Sequence, residues 1–155
     1  MIATRAPHEM TMARLLAAFC LTLAFALGAS APARAEPVSA ADARAVKAIV
    51  GAQLDAFAAD DAKRAFSYAA PSIRSMFGTP ERFIAMVRAG YPVVYRPAAV
   101  TFLLPLQVEG HLFQGVHLTD AAGALWLATY RLERQPDGSL RIAGCDVQPA
   151  TGKLV

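Results

Sequence analysis

The chain has 155 residues, 55% of them hydrophobic, and a formal net charge of +3. Three of its fifteen basic residues (Arg5, Arg14, Arg34) and one of its twelve acids (Glu9) precede residue 36, so the remainder carries about +1 with no basic run. That balance removes the electrostatic footprint of a nucleic-acid binder, and about 120 residues suit one domain with one core.

Residues 1–35 read as a secretory signal. Arg5 and Arg14 make a positive start, Leu15 to Leu27 is apolar except for Thr22, and Ala33-Arg34-Ala35 supplies small residues at both recognised positions. The apolar core is 13 residues long, short of the ~20 that span a bilayer. Cleavage after Ala35 leaves Glu36 first, whether synthesis starts at Met1, Met10 or Met12. These features predict a periplasmic or secreted protein with no membrane span after cleavage. Cys20 lies inside the signal behind Phe19, where lipid attachment needs a small residue. Cys145 is then the single mature cysteine, which excludes an internal disulfide and reads as a small buried hydrophobe.

Residues 36–155 form a single predicted domain that divides at about residue 97. Before that point the apolar spacing is helical. Ser39-Ala40-Ala41-Asp42 reads as a capping box, followed by one stripe of Val46, Ile49, Val50, Gln53, Leu54 and Phe57. Asp60 or Asp61 caps a second helix carrying Phe66, which Pro71 ends. Ser72 to Phe77 makes a short helical turn closed by Gly78. Thr79-Pro80-Glu81 starts another helix, with Phe83, Met86 and Val87 inward and Gly90 as its C-terminal cap. Pro92 and Pro97 predict an extended segment between helix and sheet.

After residue 97 the period changes to two. Val100, Phe102, Leu104, Leu106 and Val108 share a face, with Pro105 marking an edge or a bulge. His111 to Thr119 and Ala124 to Arg134 are the next strands, joined by Asp120-Ala121-Ala122-Gly123. Trp126, Ala128, Tyr130 and Leu132 point one way. Pro136-Asp137-Gly138 turns the chain into a last strand beginning at Leu140 and Ile142, which Gly144 bulges. Helices followed by a four-stranded antiparallel meander predict an α+β domain, with helices packed on one face of a curved sheet.

Helices first, then a meander ending in Tyr130-Arg131-Leu132-Glu133-Arg134 and Asp137-Gly138-Ser139-Leu140-Arg141-Ile142, resembles the cystatin-like cone of nuclear transport factor 2 relatives. More narrowly, AQLDAFAADD (52–61), PSIRSMFGTPERFIAMV (71–87), GYPVVYRP (90–97) and RIAGCDV (141–147) are similar to a family of small secreted proteobacterial proteins, domain of unknown function 4864. The resemblance covers residues 42–147. It implies a fold and a compartment, and no catalytic residues.

The residues themselves exclude several chemistries. His111 and His117 are six apart on one strand, hence ~20 Å from each other at ~3.3 Å per residue, too far to share a metal ion. No metal site, cofactor motif, phosphate loop or nucleophile motif is present in the sequence. Relatives of the broad fold place a carboxylate and a tyrosine or histidine in the cone, which here would be Asp146 with Tyr130 or His117. Asp146 shares parity with Ile142 and faces inward only without a bulge. Tyr91, Tyr95 and Arg96 offer either a ligand rim or, as the plainer alternative, a cover for the sheet edge with Arg96 pairing an acid. Ala128 between Trp126 and Tyr130 leaves a depression on the inner face, open to a ligand unless Phe57, Phe66 or Phe83 fills it. The favoured expectation is a non-enzymatic protein binding a small apolar ligand or a partner protein there, through Tyr91, Tyr95, Arg96, Trp126 and Tyr130. The alternatives are a small isomerase, hydrolase or lyase using Asp146 and Tyr130, and a homodimeric interaction module.

Overall fold

The computed structural model describes residues 37–150, so the export signal read at residues 1–35 lies outside the described residues. The described chain begins with helix α1 (Ala40–Ala58), whose N-cap Ser39 accepts a 3.0 Å hydrogen bond from the Asp42 amide. Helix α2 (Ala62–Ser67) starts at Asp61, which accepts from the Arg64 amide at 3.0 Å. Helices α3 (Pro71–Phe77) and α4 (Pro80–Gly90) each place proline first, where its missing N–H costs nothing. Thr79 caps α4 through the Arg82 amide. α1 and α4 bury Val46, Val50, Leu54, Phe57, Phe83, Ile84 and Val87. No residue of α3 is fully buried; Ile73 and Phe77 are partly covered.

The segment after Gly90 is not extended. Pro92–Tyr95 makes a short helix, α5, burying Val93, Val94 and Tyr95. A proline excludes helix at the residue before it, and Tyr91 is indeed non-helical at φ −137°, ψ 59°. The same proline is preorganised as the first helical residue. Pro97 likewise keeps Arg96 out of the helix at φ −146°, and no helix follows it among the described residues.

Five strands follow: β1 (Ala99–Phe102), β2 (Leu106–Val108), β3 (His111–Thr119), β4 (Leu125–Arg134) and β5 (Leu140–Pro149). All pairs are antiparallel, in the order β1–β3–β4–β5, with β2 also on β3. The α+β class therefore holds, but the first of the four expected strands is split. Phe102 lies opposite the buried Val116, whereas Leu106 lies opposite Phe113 on the other face. Leu103–Pro105 leave the ladder and reverse the parity, so Leu104 (88% exposed) and Leu106 (54%) do not share the core face with Phe102.

β3 alternates cleanly, with Leu112, Gln114, Val116 and Leu118 buried and both histidines on the opposite face. In β4, Ala128, Tyr130 and Leu132 face the helices. The β4–β5 register then slips. Leu132 pairs with Ile142 but Arg131 pairs with Gly144, leaving Ala143 as the extra residue of a bulge. Before the bulge Leu140 and Ile142 face the core. Beyond it Cys145 and Val147 take the inner positions, opposite Tyr130 and Ala128. The outer edge of β5 is closed by the α2–α3 connection: the Ala70 amide donates to Ile142 O at 2.8 Å, and the Ile142 amide to Tyr68 O at 2.9 Å.

Candidate functional site

Between helices and sheet lies a cavity of about 130 Å³, lined among others by Phe57, Ile73, Phe77, Phe83, Met86, Val94 and Ile142. Phe57, Phe77 and Phe83 line its helical side, with Phe66 packed against Phe83 behind them. Phe83 packs at 5.4 Å from both Phe66 and Phe77 and 5.8 Å from Phe57, ring centre to ring centre. The bulge forms the opposite wall, with Gly144 and Cys145 beside Tyr130. Tyr91 and Cys145 are the exposed lining residues that mark the mouth.

The polar groups of the lining are few. Gln53 is 2% exposed and its Nε2 donates to Ala65 O at 3.1 Å. Tyr130 is 1% exposed, and its hydroxyl has no hydrogen-bond partner among the described residues. Burial pushes the Tyr130 pKa well up, and the neighbouring Cys145 adds to the effect. A thiol is a weak partner for a phenol, so this neighbour does not satisfy the hydroxyl. Cys145 is exposed as a residue, but burial of its thiol raises the pKa to about 12, Tyr130 acting in the opposite sense. The thiol stays protonated at neutral pH and is a poor nucleophile. No Asp, Glu, His, Lys or Arg is among the lining residues.

The structure separates residues that the sequence groups together. Asp146 pairs with Thr129 and is exposed, while Tyr130 pairs with Cys145 and is buried. The bulge at Ala143 therefore puts Asp146 and Tyr130 on opposite faces of the sheet. His117 also lies on the outer face. Ala128 is fully buried and is absent from the cavity lining, so the depression expected between Trp126 and Tyr130 is filled and the open space lies on the bulge side of Tyr130.

Tyr95 and Arg96 belong to a different arrangement. Asp60, just beyond α1, adopts the left-handed conformation at φ 57°, which Asp tolerates better than most residues. Its carboxylate accepts from Arg88 and Arg96, each at 2.7 Å, and from the Tyr95 hydroxyl. The two guanidinium groups stand 5.1 and 5.0 Å from the Tyr95 ring centre. This clasp joins α1, α4 and α5, with Arg96 paired to an acid. The Tyr95 hydroxyl, then Arg88, hold the Asp60 pKa below its ordinary 3.8. A folded pKa below the unfolded one contributes stability above the unfolded value that is lost as pH falls through the folded value. Asp60→Asn, which keeps the left-handed backbone accessible, should lower the melting temperature at pH 7, and the gap should close below pH 3.8. Melts of both proteins from pH 7 to 2.5 check it; a gap independent of pH would refute the charge account.

Arg96 also lines a wider surface depression of about 500 Å³, with Tyr91, Asp120 and Trp126. There the Trp126 indole donates to Asp120 at 2.9 Å, and the Ala122 and Ala124 amides donate to the same carboxylate. Tyr91 is the residue common to both spaces.

Gln53, Gly144 and Cys145 were read from the sequence as helix stripe, bulge and small hydrophobe, and not as site residues. Gln53 had a signal, being a polar residue within an apolar helical stripe. Cys145 had none, because its facing depends on where the bulge falls.

The family model described as domain of unknown function DUF4864 matches residues 39–155. No curated protein and no solved structure matches the chain.

Proposed function

The chain belongs to this family of unknown function, and we propose that it binds a small, neutral, mostly apolar molecule in the cavity between its helices and sheet. The observation that carries the reading is Tyr130, a fully covered phenol without a partner in an otherwise apolar lining. A buried polar group left unpaired costs ~1–3 kcal/mol, and a ligand oxygen or nitrogen reaching it through a small shift of the lining would recover much of that. The volume is close to the ~150 Å³ apolar cavity that admits benzene. The absence of charged lining residues disfavours a carboxylate or ammonium ligand, whose desolvation nothing would offset. It also leaves no group suited to act as a general base at neutral pH, since both the phenol and the thiol are shifted upward. That supports binding over the isomerase, hydrolase or lyase alternative.

The element order supports reading the fold as a nuclear-transport-factor-2-like cone of a proteobacterial family, and the N-terminal sequence supports a periplasmic or secreted location. In that setting the protein would capture or carry its ligand outside the cytoplasm.

Phenol and benzoate test the proposal. At ~25 cal/mol per Å², burying ~200 Å² of an apolar probe yields ~5 kcal/mol, a Kd near 0.2 mM. Phenol at ten times its Kd should then stabilise the protein by ~1.4 kcal/mol in a thermal melt, and benzoate should have no effect. Equal shifts from both, or none from phenol at 10 mM, would overturn the reading.

A further inference from the structure

The break between β1 and β2 presents Leu104 at 88% exposure and Leu106 at 54%, flanked by Val100 at 40% and Leu103 at 38%. Singly exposed aliphatic residues need no explanation, but four within seven positions form a patch. Its conformation is built, not loose. Gln114, 1% exposed on β3, donates its side-chain amide to Leu103 O and Gly115 O, both at 2.8 Å. The Leu103 amide donates back to Gly115 O at 2.9 Å. Gly115 fits closely beneath it: a Cβ there would stand 3.0 Å from Leu103 Cδ1, so the leucine would have to shift. A buried glutamine and a glycine thus hold the backbone that carries an almost fully exposed leucine.

The charges lining the depression at this tip are of one sign, and the exposed Asp55 lines the neighbouring depression with Arg44, Lys47 and Phe102. Leu103 and Leu104 share a depression with Arg44 and Lys47 of α1, the only charged residues lining it. Both are exposed, and the Lys47 ammonium stands 5.5 Å from the Phe102 ring centre. Asp42, the nearest acid in sequence, is occupied by Arg134 at 2.6 Å.

We propose that the Leu103–Leu106 tip docks the protein on an anionic lipid bilayer, the leucines entering the headgroup boundary while Arg44 and Lys47 meet lipid phosphates. Aliphatic side chains beside basic ones are the combination that interfacial membrane elements use. A second copy of the chain fits less well. β1 and β2 are four and three residues long, with Pro105 between them, too short and too broken an edge for strand addition. A two-fold contact through this face would also bring Arg44 and Lys47 against their own copies.

Sedimentation with vesicles of phosphatidylcholine containing one quarter phosphatidylglycerol, against phosphatidylcholine alone, tests the proposal on the whole chain. Leu104→Glu should lower partitioning to the mixed vesicles by about tenfold or more, the loss of one buried leucine. Arg44→Gln with Lys47→Gln should lower it by a similar factor on the mixed vesicles only, and 0.5 M salt should mimic that variant. The N-terminal apolar run is common to all these chains, so equal sedimentation of wild type and Leu104→Glu overturns the docking role. A concentration-dependent dimer that Leu104→Glu disperses, without vesicle binding, overturns it in favour of self-association. Unchanged melting temperatures confirm that both variants fold.

Discussion

Tyr130→Phe should make the unliganded protein more stable and the liganded one harder to form. The hydroxyl is fully covered and unpaired, and removing it relieves a desolvation cost of ~1–2 kcal/mol, equivalent to a rise of ~4–8 °C in melting temperature. The ring stays, so its place in the core is preserved. Binding of a phenol-sized probe should weaken about tenfold, because the ligand loses its one buried hydrogen bond. Opposite signs for stability and affinity mark a residue kept for function and not for folding. A variant less stable than wild type, with unchanged probe affinity, would make the hydroxyl structural.

Phe83→Ala should be the most damaging change in the helical layer. The ring is 6% exposed and contacts Phe57, Phe66 and Phe77 from three sides, so its removal takes away the common partner of a cluster drawn from α1, α2 and α3. Truncation of a buried phenylalanine costs ~3–5 kcal/mol, a fall of roughly 10–20 °C for a domain of this size. Because Phe83 also lines the cavity, any variant that still folds should accept probes larger than phenol, naphthol being a convenient one. Phe83→Leu separates the two effects, keeping most of the stability while opening less space. A loss under 1 kcal/mol for Phe83→Ala, read from urea melts, would mean that the rings do not act as one wall.

Local chemistry was legible in the sequence and long-range parity was not. Ser39, Asp61 and Thr79 cap the helices that they open because capping needs only the residue and the amide three positions on. The inward set Ala128, Tyr130 and Leu132 was also legible, since nothing interrupts β4. Val100 to Val108 looked like one alternating strand because the pattern runs on through Leu104 and Leu106. Pro105 signalled an irregularity without fixing how many residues leave the ladder. Pro92 failed for a different reason: the same ring that forbids helix before it favours helix after it. The cavity was the least legible feature. Gly144 announced a bulge, but only the register shows that Ala143 is the extra residue and that Cys145, not Asp146, then faces Tyr130.

The register beyond that bulge has an evolutionary consequence. A strand's side chains alternate, so with the bulge at Ala143 kept, losing the next residue, Gly144, would carry the Asp146 carboxylate to the position that the Cys145 thiol holds, opposite the phenol. No codon would need to change its meaning; one would need only to be deleted. A lineage could thereby acquire a titrating group inside its container in one step, at the cost of exchanging every inward side chain beyond the bulge. Aligned columns of relatives would record such an event as a gap in a strand, with the aspartate already present. Among members of this family, strand length at β5 is thus the character to compare first when asking which of them hold a ligand and which transform one.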